Sequence, residues 1–495
     1  MTSFGLIGWT PSPGYANNIE LKGDYAYVGG FDGTLQVFDV SDPTNPVVVG
    51  SYRLGPNEIK DIDAVSDYLY LSYDAYGLVK LDISDPTNPT FVSSRRDGAY
   101  VESFDTEDDA YGFVAYAYTP GREMQVYDLG TFASPPVGIY DASGARHGGF
   151  VDVVGDLAYL STANGGPYFD IVDISNENAP VRLSSLFTPQ ESYGTWVGEF
   201  EVAGDYVYWA RGSHGPQNLV GGLLTIDVSD AYAPVVADFD SIPDAGPTGF
   251  GAPGLDVVGD RLYMVSNTGL YIYDITDPAN PAVLIDPNVD AGFRFPEAFL
   301  PGRAGSVEVE NGFAYTTAIY TGDQGGLAVF DVADDVVCDL FRDKDFVGDA
   351  GDVTFSNTPD GLRIAVTGQD GWTIAEAKLH LGNIDTATGD VSGFPVNKKG
   401  NPKVGQFDFE EAQATDDLVF DFTMSELAAA DTDDDGIIAV AVHTTAETWQ
   451  PDGDGGLELV TASAWGACDG EDLDFGGASH SYVIALDLAD LGIYV

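Results

Sequence analysis

The sequence predicts an all-β protein: a seven-bladed β-propeller whose N-terminal strand closes the last blade, followed by a C-terminal β-sandwich. Three observations predict it. A unit of about 40 residues recurs seven times along the first two thirds of the chain. Every unit contains four short stretches of period-two alternation separated by turn residues, the pattern of antiparallel strands. The seventh unit breaks off after its third stretch, while an unmatched apolar stretch, FGLIGW, stands at residues 4–9.

Blade 1 reads NNIELKGDYAYVGGFDGTLQVFDVSDPTNPVVVGSY from Asn17, and blade 2 repeats it as IDAVSDYLYLSYDAYGLVKLDISDPTNPTFVSS from Ile62. Blades 4, 5 and 6 open at Val151, Phe200 and Leu255; blades 3 and 7 are looser copies from Asp105 and Val307. The first stretch has the form V-x-V-x-G-D and ends in a Gly-Asp turn. The second is short and aromatic, as in Ala26-Tyr27-Val28, and the third ends in V-x-D-[VI]-S, as at residues 37–41. A D-P-x-N-P turn follows, where Pro presets φ and the Asx side chain bonds its own backbone. The fourth stretch is P-V-V-V-G. One four-stranded sheet cannot bury both of its faces alone, whereas radial repetition lets every sheet bury them on its neighbours. Residues 4–9 resemble the fourth stretch, so they are expected to supply the outer strand of blade 7 and remove two open edges.

The run Leu35-Gln36-Val37-Phe38-Asp39-Val40-Ser41-Asp42-Pro43-Thr44-Asn45-Pro46, with its six variants, resembles the LVIVD-repeat family of bacterial and archaeal propellers. The resemblance covers about residues 1–335. It implies the propeller architecture and a frequent surface location, but no biochemical role comes with it. Two domains are therefore expected, a propeller over residues 1–336 and a jelly-roll-like β-sandwich over 337–495. In the second, strands are expected at 353–355, 362–367, 377–382, 419–423, 437–444, 457–462 and 482–488, with one helical turn at 425–430. Strings such as GWTIAEAKLHLG and FPVNKKGNPKVGQFDF in that region resemble a β-sandwich module of secreted and surface proteins.

Asp and Glu number 79 against 20 Lys and Arg, a formal charge of −59 spread over both halves of the chain. Such a surface repels itself in dilute solution. Molar salt shortens the screening length to about 3 Å and removes most of that penalty, so the composition predicts a protein of a high-salt environment. Nucleic acid is excluded as a natural partner, because phosphate binding needs clustered Lys and Arg. No stretch reaches the ~20 apolar residues of a transmembrane helix. The opening MTSFGLIGWTPSPG has neither a basic nor a long apolar segment, so it does not read as a signal peptide. Either the protein is cytoplasmic or a leader has been removed and replaced by Met1; the expected location is the cell surface or the exterior.

Candidate sites fall in both domains. Asp431, Asp433 and Asp435 have the D-x-D-x-D-G spacing of a Ca²⁺ loop, but the twelfth position, where an EF-hand needs Glu, is Val442. The readings left are a simpler Ca²⁺ or Na⁺ loop, with Asp452 and Asp454 as further donors, or an ordinary acidic turn. Cys338 and Cys468 are either a disulfide or two thiols. The five histidines have no metal-ligand spacing on one element. Around one mouth of the propeller channel the repeat alignment gathers Tyr15, Glu58, Lys60, Glu102, His147, Trp196, Glu199 and Arg303, a polar and aromatic set that suits a ligand or a wet rim. No nucleophile elbow or phosphate loop occurs, so no catalytic residue is assigned. His147, Arg146 and Glu199 are the candidates should the chain be a lyase or hydrolase. The leading expectation is a non-enzymatic scaffold that binds a protein or glycan. The alternatives are a channel-mouth enzyme and a structural part of an envelope or filament.

Overall fold

The computed structural model describes residues 5–12, 16–73, 77–95, 100–108, 110–117, 121–132, 134–142, 147–163, 168–188, 199–211, 221–242, 254–295, 303–320, 324–332, 336–341, 349–358, 361–368, 372–385, 390–392, 407, 409–411, 417–431, 437–451, 457–467, 473–474 and 482–488. Two compact units divide at Asp331 and Val332. Among the described residues, the first unit holds seven four-stranded antiparallel sheets. Their first strands are Ala16–Lys22, Ile59–Val65, Tyr100–Asp108, His147–Val154, Phe200–Ala203, Leu255–Val258 and Arg303–Glu310. Each first strand contacts the next, and the last contacts the first, so the seven form a closed inner cycle around a channel.

The recurring acids of the repeat are spent on turns. The Asp39 carboxylate accepts the Ser41 N–H at 3.1 Å and its hydroxyl at 2.6 Å. Asp82 with Ser84, Asp173 with Ser175, Asp227 with Ser229 and Asp274 with Thr276 repeat the arrangement. These bonds lower the pKa values of Asp82, Asp173, Asp227 and Asp274. The residue between, Val40 in blade 1, donates its N–H to the Asp24 carbonyl of the Gly-Asp turn at 2.8 Å, which ties the two ends of the blade's hairpins together. That turn needs left-handed backbone: Gly23 lies at φ +56°, and Ser66 and Asn311 take the same place in blades 2 and 7 at φ +53° and +54°.

Apolar side chains of each blade interlock with those of the next. Leu35 and Val37 of blade 1 pack with Ile59, Ile62, Leu69 and Leu71 of blade 2. Phe313, Tyr315, Leu327 and Val329 of blade 7 pack with Ile19, Val28 and Phe38 of blade 1, and Ile7 joins that cluster. The fourth strands form the outer rim, where Phe91 and Val181 are 52% and 58% exposed.

The N-terminal stretch does complete blade 7. Gly5–Ser12 pairs antiparallel with Gln324–Asp331, Trp9 opposite Ala328 and Ser12 opposite Gly325, with a register shift between Leu6 and Gly8. Ser12 also donates to the buried Gln36 of blade 1, and the Thr10 hydroxyl donates to the Pro46 carbonyl at 2.5 Å. The closing strand therefore fastens blade 7 to blade 1 as well as finishing its own sheet.

In the second unit, the described strands join one eleven-stranded sheet, with eight strands on its main path. The expected sandwich has two separate sheets; here Val336–Phe341 pairs with Asp349–Thr358 on one side and Leu457–Ala467 on the other, so the path is continuous. The joining strand covers two edges that a two-sheet sandwich leaves open. Residues from distant parts of the path share one core: Val353, Ile364 and Phe420 pack with Ile374, Leu379 and Val440. The helix Met424–Ala430 is held by a capping box between Thr423 and Glu426 and buries Leu427. Among the described residues no helix is long and apolar enough to cross a membrane.

Removing residues 1–12 exposes the edge of Gln324–Asp331 and strips Ile7 from the blade 7 to blade 1 core. Calorimetry of that truncated chain is expected to show the propeller transition lowered by at least ~10 °C, since each apolar side chain lost from a core is worth roughly 1.5–3 kcal/mol. A midpoint within about 2 °C of the full chain contradicts the strand's role.

Candidate functional site

Alternate residues of each first strand point along the sheet face toward the next blade, and in every blade one such position is acidic. Glu20, Asp63, Asp105, Asp152, Glu201, Asp256 and Glu308 stand on the seven first strands in chain order. Their charges act pairwise around the cycle: Asp63 on Glu20, Asp63 and Asp152 on Asp105, Asp152 and Asp256 on Glu201, and Asp256 and Glu20 on Glu308. The result is a closed ring of half-buried carboxyl groups.

The ring is also a set of fasteners. Glu20 accepts the Ala64 N–H of the next blade at 3.0 Å. Asp105 accepts from Val153 at 2.5 Å, Asp152 from Val202 at 2.7 Å and Asp256 from Val309 at 2.5 Å. Glu201 accepts in the same way from Val257. Each acceptor therefore satisfies a backbone donor that the neighbouring blade's inner strand has no further strand to pair with.

A second tier lies two residues earlier. Asp61 accepts the Phe104 N–H of blade 3 at 2.9 Å. Glu199, just before blade 5, accepts from Leu255 of blade 6, and its Oε2 accepts the Ser306 hydroxyl of blade 7 at 3.0 Å. To do so it passes over Gly254, where a Cβ would lie 2.5 Å from that oxygen. Its field reaches Asp61 on the opposite side of the channel. Between blades 7 and 1, the Thr317 hydroxyl donates to the Asn17 carbonyl at 2.8 Å.

Burial in the channel wall pushes these acids up. Asp63 is raised to about 7, with Lys22 opposing the rise, and Asp256 to about 6 against its bonds from Val309 and Val257. Glu199 is raised to about 7 by burial against its bonds from Ser306 and Leu255. Glu20, Asp61, Asp105, Glu201 and Glu308 lie well above the ordinary carboxylate range, burial first and neighbouring acids also contributing.

At the expected mouth, Lys60 holds Glu58 and Glu102 at 3.3 Å each, bridging blades 2 and 3. Burial pulls the Lys60 ammonium down, but the two carboxylates outweigh it and its pKa is raised. Glu58 also accepts from Asn17 at 3.2 Å. The structure thus brings Glu58, Lys60 and Glu102 into one cluster, and places Glu199 in the second tier, bonded across blade 6. His147 and Arg303 open the first strands of blades 4 and 7, with side chains outside the described residues. Tyr15, Arg146 and Trp196 lie outside the described residues.

In the second unit Asp431 is buried at the C-terminal end of the helix, its N–H donating to the Leu427 carbonyl at 2.9 Å. Asp433, Asp435, Asp452, Asp454, Cys468 and the Cys338 side chain lie outside the described residues. Among the described residues no three His, Cys, Asp or Glu side chains converge as for a metal ion.

Four-stranded sheets whose inner strands close a cycle define a β-propeller. Residues 13–53, 58–97, 145–188 and 251–286 match the family model described as LVIVD repeat, so blades 1, 2, 4 and 6 carry LVIVD repeats. No curated protein matches it. Among solved structures it is similar to the computationally designed Ika8 protein, with TM-score 0.45 and 10% identity over 66% of this chain and 100% of that one. It is also similar to the Pan2 WD40 domain of Neurospora crassa, with TM-score 0.46 and 13% identity over 67% and 97%. For BamB from Moraxella catarrhalis the values are 0.38 and 13% over 63% and 80%.

Asp152 separates the two things a ring acid does. Asp152→Ala leaves the Val202 N–H without its acceptor and is expected to destabilise the propeller by about 1–3 kcal/mol in urea titrations. Asp152→Asn keeps an acceptor oxygen and removes a charge, so its stability is expected to equal or exceed that of the wild type. Equal losses in both variants contradict the fastening role.

Proposed function

We propose that the chain is a salt-adapted, extracytoplasmic, non-catalytic scaffold whose propeller binds a protein or glycan partner at the channel mouth, with the C-terminal unit presenting or attaching it. The observation that carries this reading is how the described ionisable groups of the channel are engaged. Lys60 is held by Glu58 and Glu102, Glu199 by Ser306, Asp61 by Phe104, and ring acids by amides of the following blade. Groups tied in this way give a rigid, shaped, polar opening, which suits recognition. The balance of −59 supports adaptation to salt, and the surface location rests on the family resemblance and the sandwich-like strings of the C-terminal region.

A second reading rests on Glu199. Burial places it at about 7, where a general base works best at neutral pH, and His147 and Arg146 belong to the same end of the channel in the repeat alignment. Both readings are tested together by probing immobilised glycans and envelope proteins of the source cells with the full chain in molar KCl. Binding is expected for the wild type and at least tenfold weaker for a Glu58→Ala, Glu102→Ala double variant that keeps its melting point in that salt. Hydrolase or lyase turnover that disappears in a His147→Ala, Glu199→Ala variant overturns the scaffold reading in favour of the enzyme. Stability that falls as KCl rises contradicts the salt adaptation.

A further inference from the structure

Nine carboxyl groups in two tiers share the wall of one channel. From the first strands come Glu20 of blade 1, Asp61 and Asp63 of blade 2, Asp105 of blade 3, Asp152 of blade 4, Glu201 of blade 5, Asp256 of blade 6 and Glu308 of blade 7, and Glu199 precedes blade 5. Among the described residues, the charged and titratable groups facing them from outside this set include Lys22, which acts on Glu20 and Asp63, and the second-strand tyrosines Tyr27, Tyr70, Tyr159, Tyr208, Tyr263 and Tyr315, opposite Glu20, Asp63, Asp152, Glu201, Asp256 and Glu308. Like charges closed into a ring in a part-buried wall cannot all ionise without mutual repulsion, and the proton then belongs to the group of acids collectively. Seven of these carboxyl groups, Glu20, Asp61, Asp105, Asp152, Glu199, Glu201 and Asp256, accept an amide of a following blade. A protonated carboxyl keeps an acceptor oxygen for that amide, so protonation removes the repulsion without removing the fastener.

We propose that the two carboxyl tiers are a pH-responsive clasp: partly protonated, they hold the blades together, and full ionisation drives the inner strands apart and loosens the propeller. Burial lifts Asp256 to about 6 and Asp63 and Glu199 to about 7, so the clasp opens across neutrality. The sign follows from linkage. In the unfolded chain these acids ionise near pH 4, so between about pH 4 and 7 the folded state binds more protons than the unfolded state. Stability from this source is therefore full below about pH 4 and falls as pH rises through the folded values. The exposed turn acids Asp82, Asp173, Asp227 and Asp274 have lowered values and act oppositely, losing stability only as pH falls below the ordinary carboxylate range. Above about pH 5.5 those turn acids are fully ionised, and the clasp dominates.

The test is equilibrium unfolding of the full chain from pH 5.5 to 8 at low and at molar KCl. At low salt the unfolding constant is expected to rise about tenfold per pH unit for each proton the tiers retain, hence about a hundredfold for two. Molar KCl is expected to flatten the slope by stabilising the ionised ring. A variant carrying Asp63→Asn, Glu199→Gln and Asp256→Asn is expected to be more stable than the wild type at pH 8 and to have a shallower pH slope, what remains coming from the other raised acids of the tiers. A wild-type profile that is flat or rises with pH overturns the proposal, as does the wild-type slope persisting in the variant. Should the variant not fold, infrared spectroscopy of the wild type decides: a protonated carboxyl C=O band at pH 6 that bleaches by pH 8 supports the clasp, and its absence at pH 6 refutes it.

Discussion

Everything in the propeller depends on closing a cycle of sheets that are each too small to stand alone. A blade gains its core only by lending both faces to neighbours, so an open array leaves two apolar faces and two strand edges in water. Two devices close it. At the rim, Gly5–Ser12 finishes the sheet of the last blade and reaches blade 1 through Ser12 and Thr10. At the axis, each inner strand has one side without a strand partner; on blades 2 to 7 carboxyl oxygens of the preceding blade accept an amide there, and between blades 7 and 1 the Thr317 hydroxyl bonds the Asn17 carbonyl. The rim device is covalently part of the chain's first residues. The axial one is electrostatic and costs repulsion among the acids that perform it.

This cost gives the acidic composition two physical meanings. The turn acids after each third strand are exposed, hydrogen-bonded to a Ser or Thr two residues on, and stabilised in their charged form. The channel acids are half-buried, face one another, and are destabilised in theirs. The balance of −59 thus adds a self-repulsion that salt screens over the surface to a concentrated repulsion within the channel wall that screening relieves less completely.

Much of the fold was legible because repetition makes the same local chemistry visible many times. The Asp39 to Pro46 run announces its turn, and the missing fourth strand of blade 7 pointed to residues 4–9 as the partner of Gln324–Asp331. The channel ring was not read, although its signal is present: the x of V-x-V-x-G-D is Glu20, Asp152, Glu201 and Asp256 in turn. Period-two alternation assigns such a position to the polar face of a strand, and 79 acids make one more unremarked. That seven polar faces meet around one axis is a property of closure, which no single repeat contains. Glu199 was chosen for its place at the mouth, but its span over Gly254 to Ser306 joins residues 107 apart in sequence. The continuous C-terminal sheet was hidden for the same reason, since Val336–Phe341 meets Leu457–Ala467 from far along the chain. The polar mouth was legible in part, through Glu58, Lys60 and Glu102.

The claim that axial carboxyl groups fasten the blades is tested most directly by native-state hydrogen exchange at the amides of Ala64, Val153, Val202, Val257 and Val309. These lie on inner strands, on the side with no strand partner, and owe their protection to the carboxyl oxygens of the preceding blade. They are expected to exchange only through global opening of the propeller, with the same free energy as the third-strand core amides. Exchange at these five amides at rates near those of exposed loops, while the core stays protected, contradicts the account.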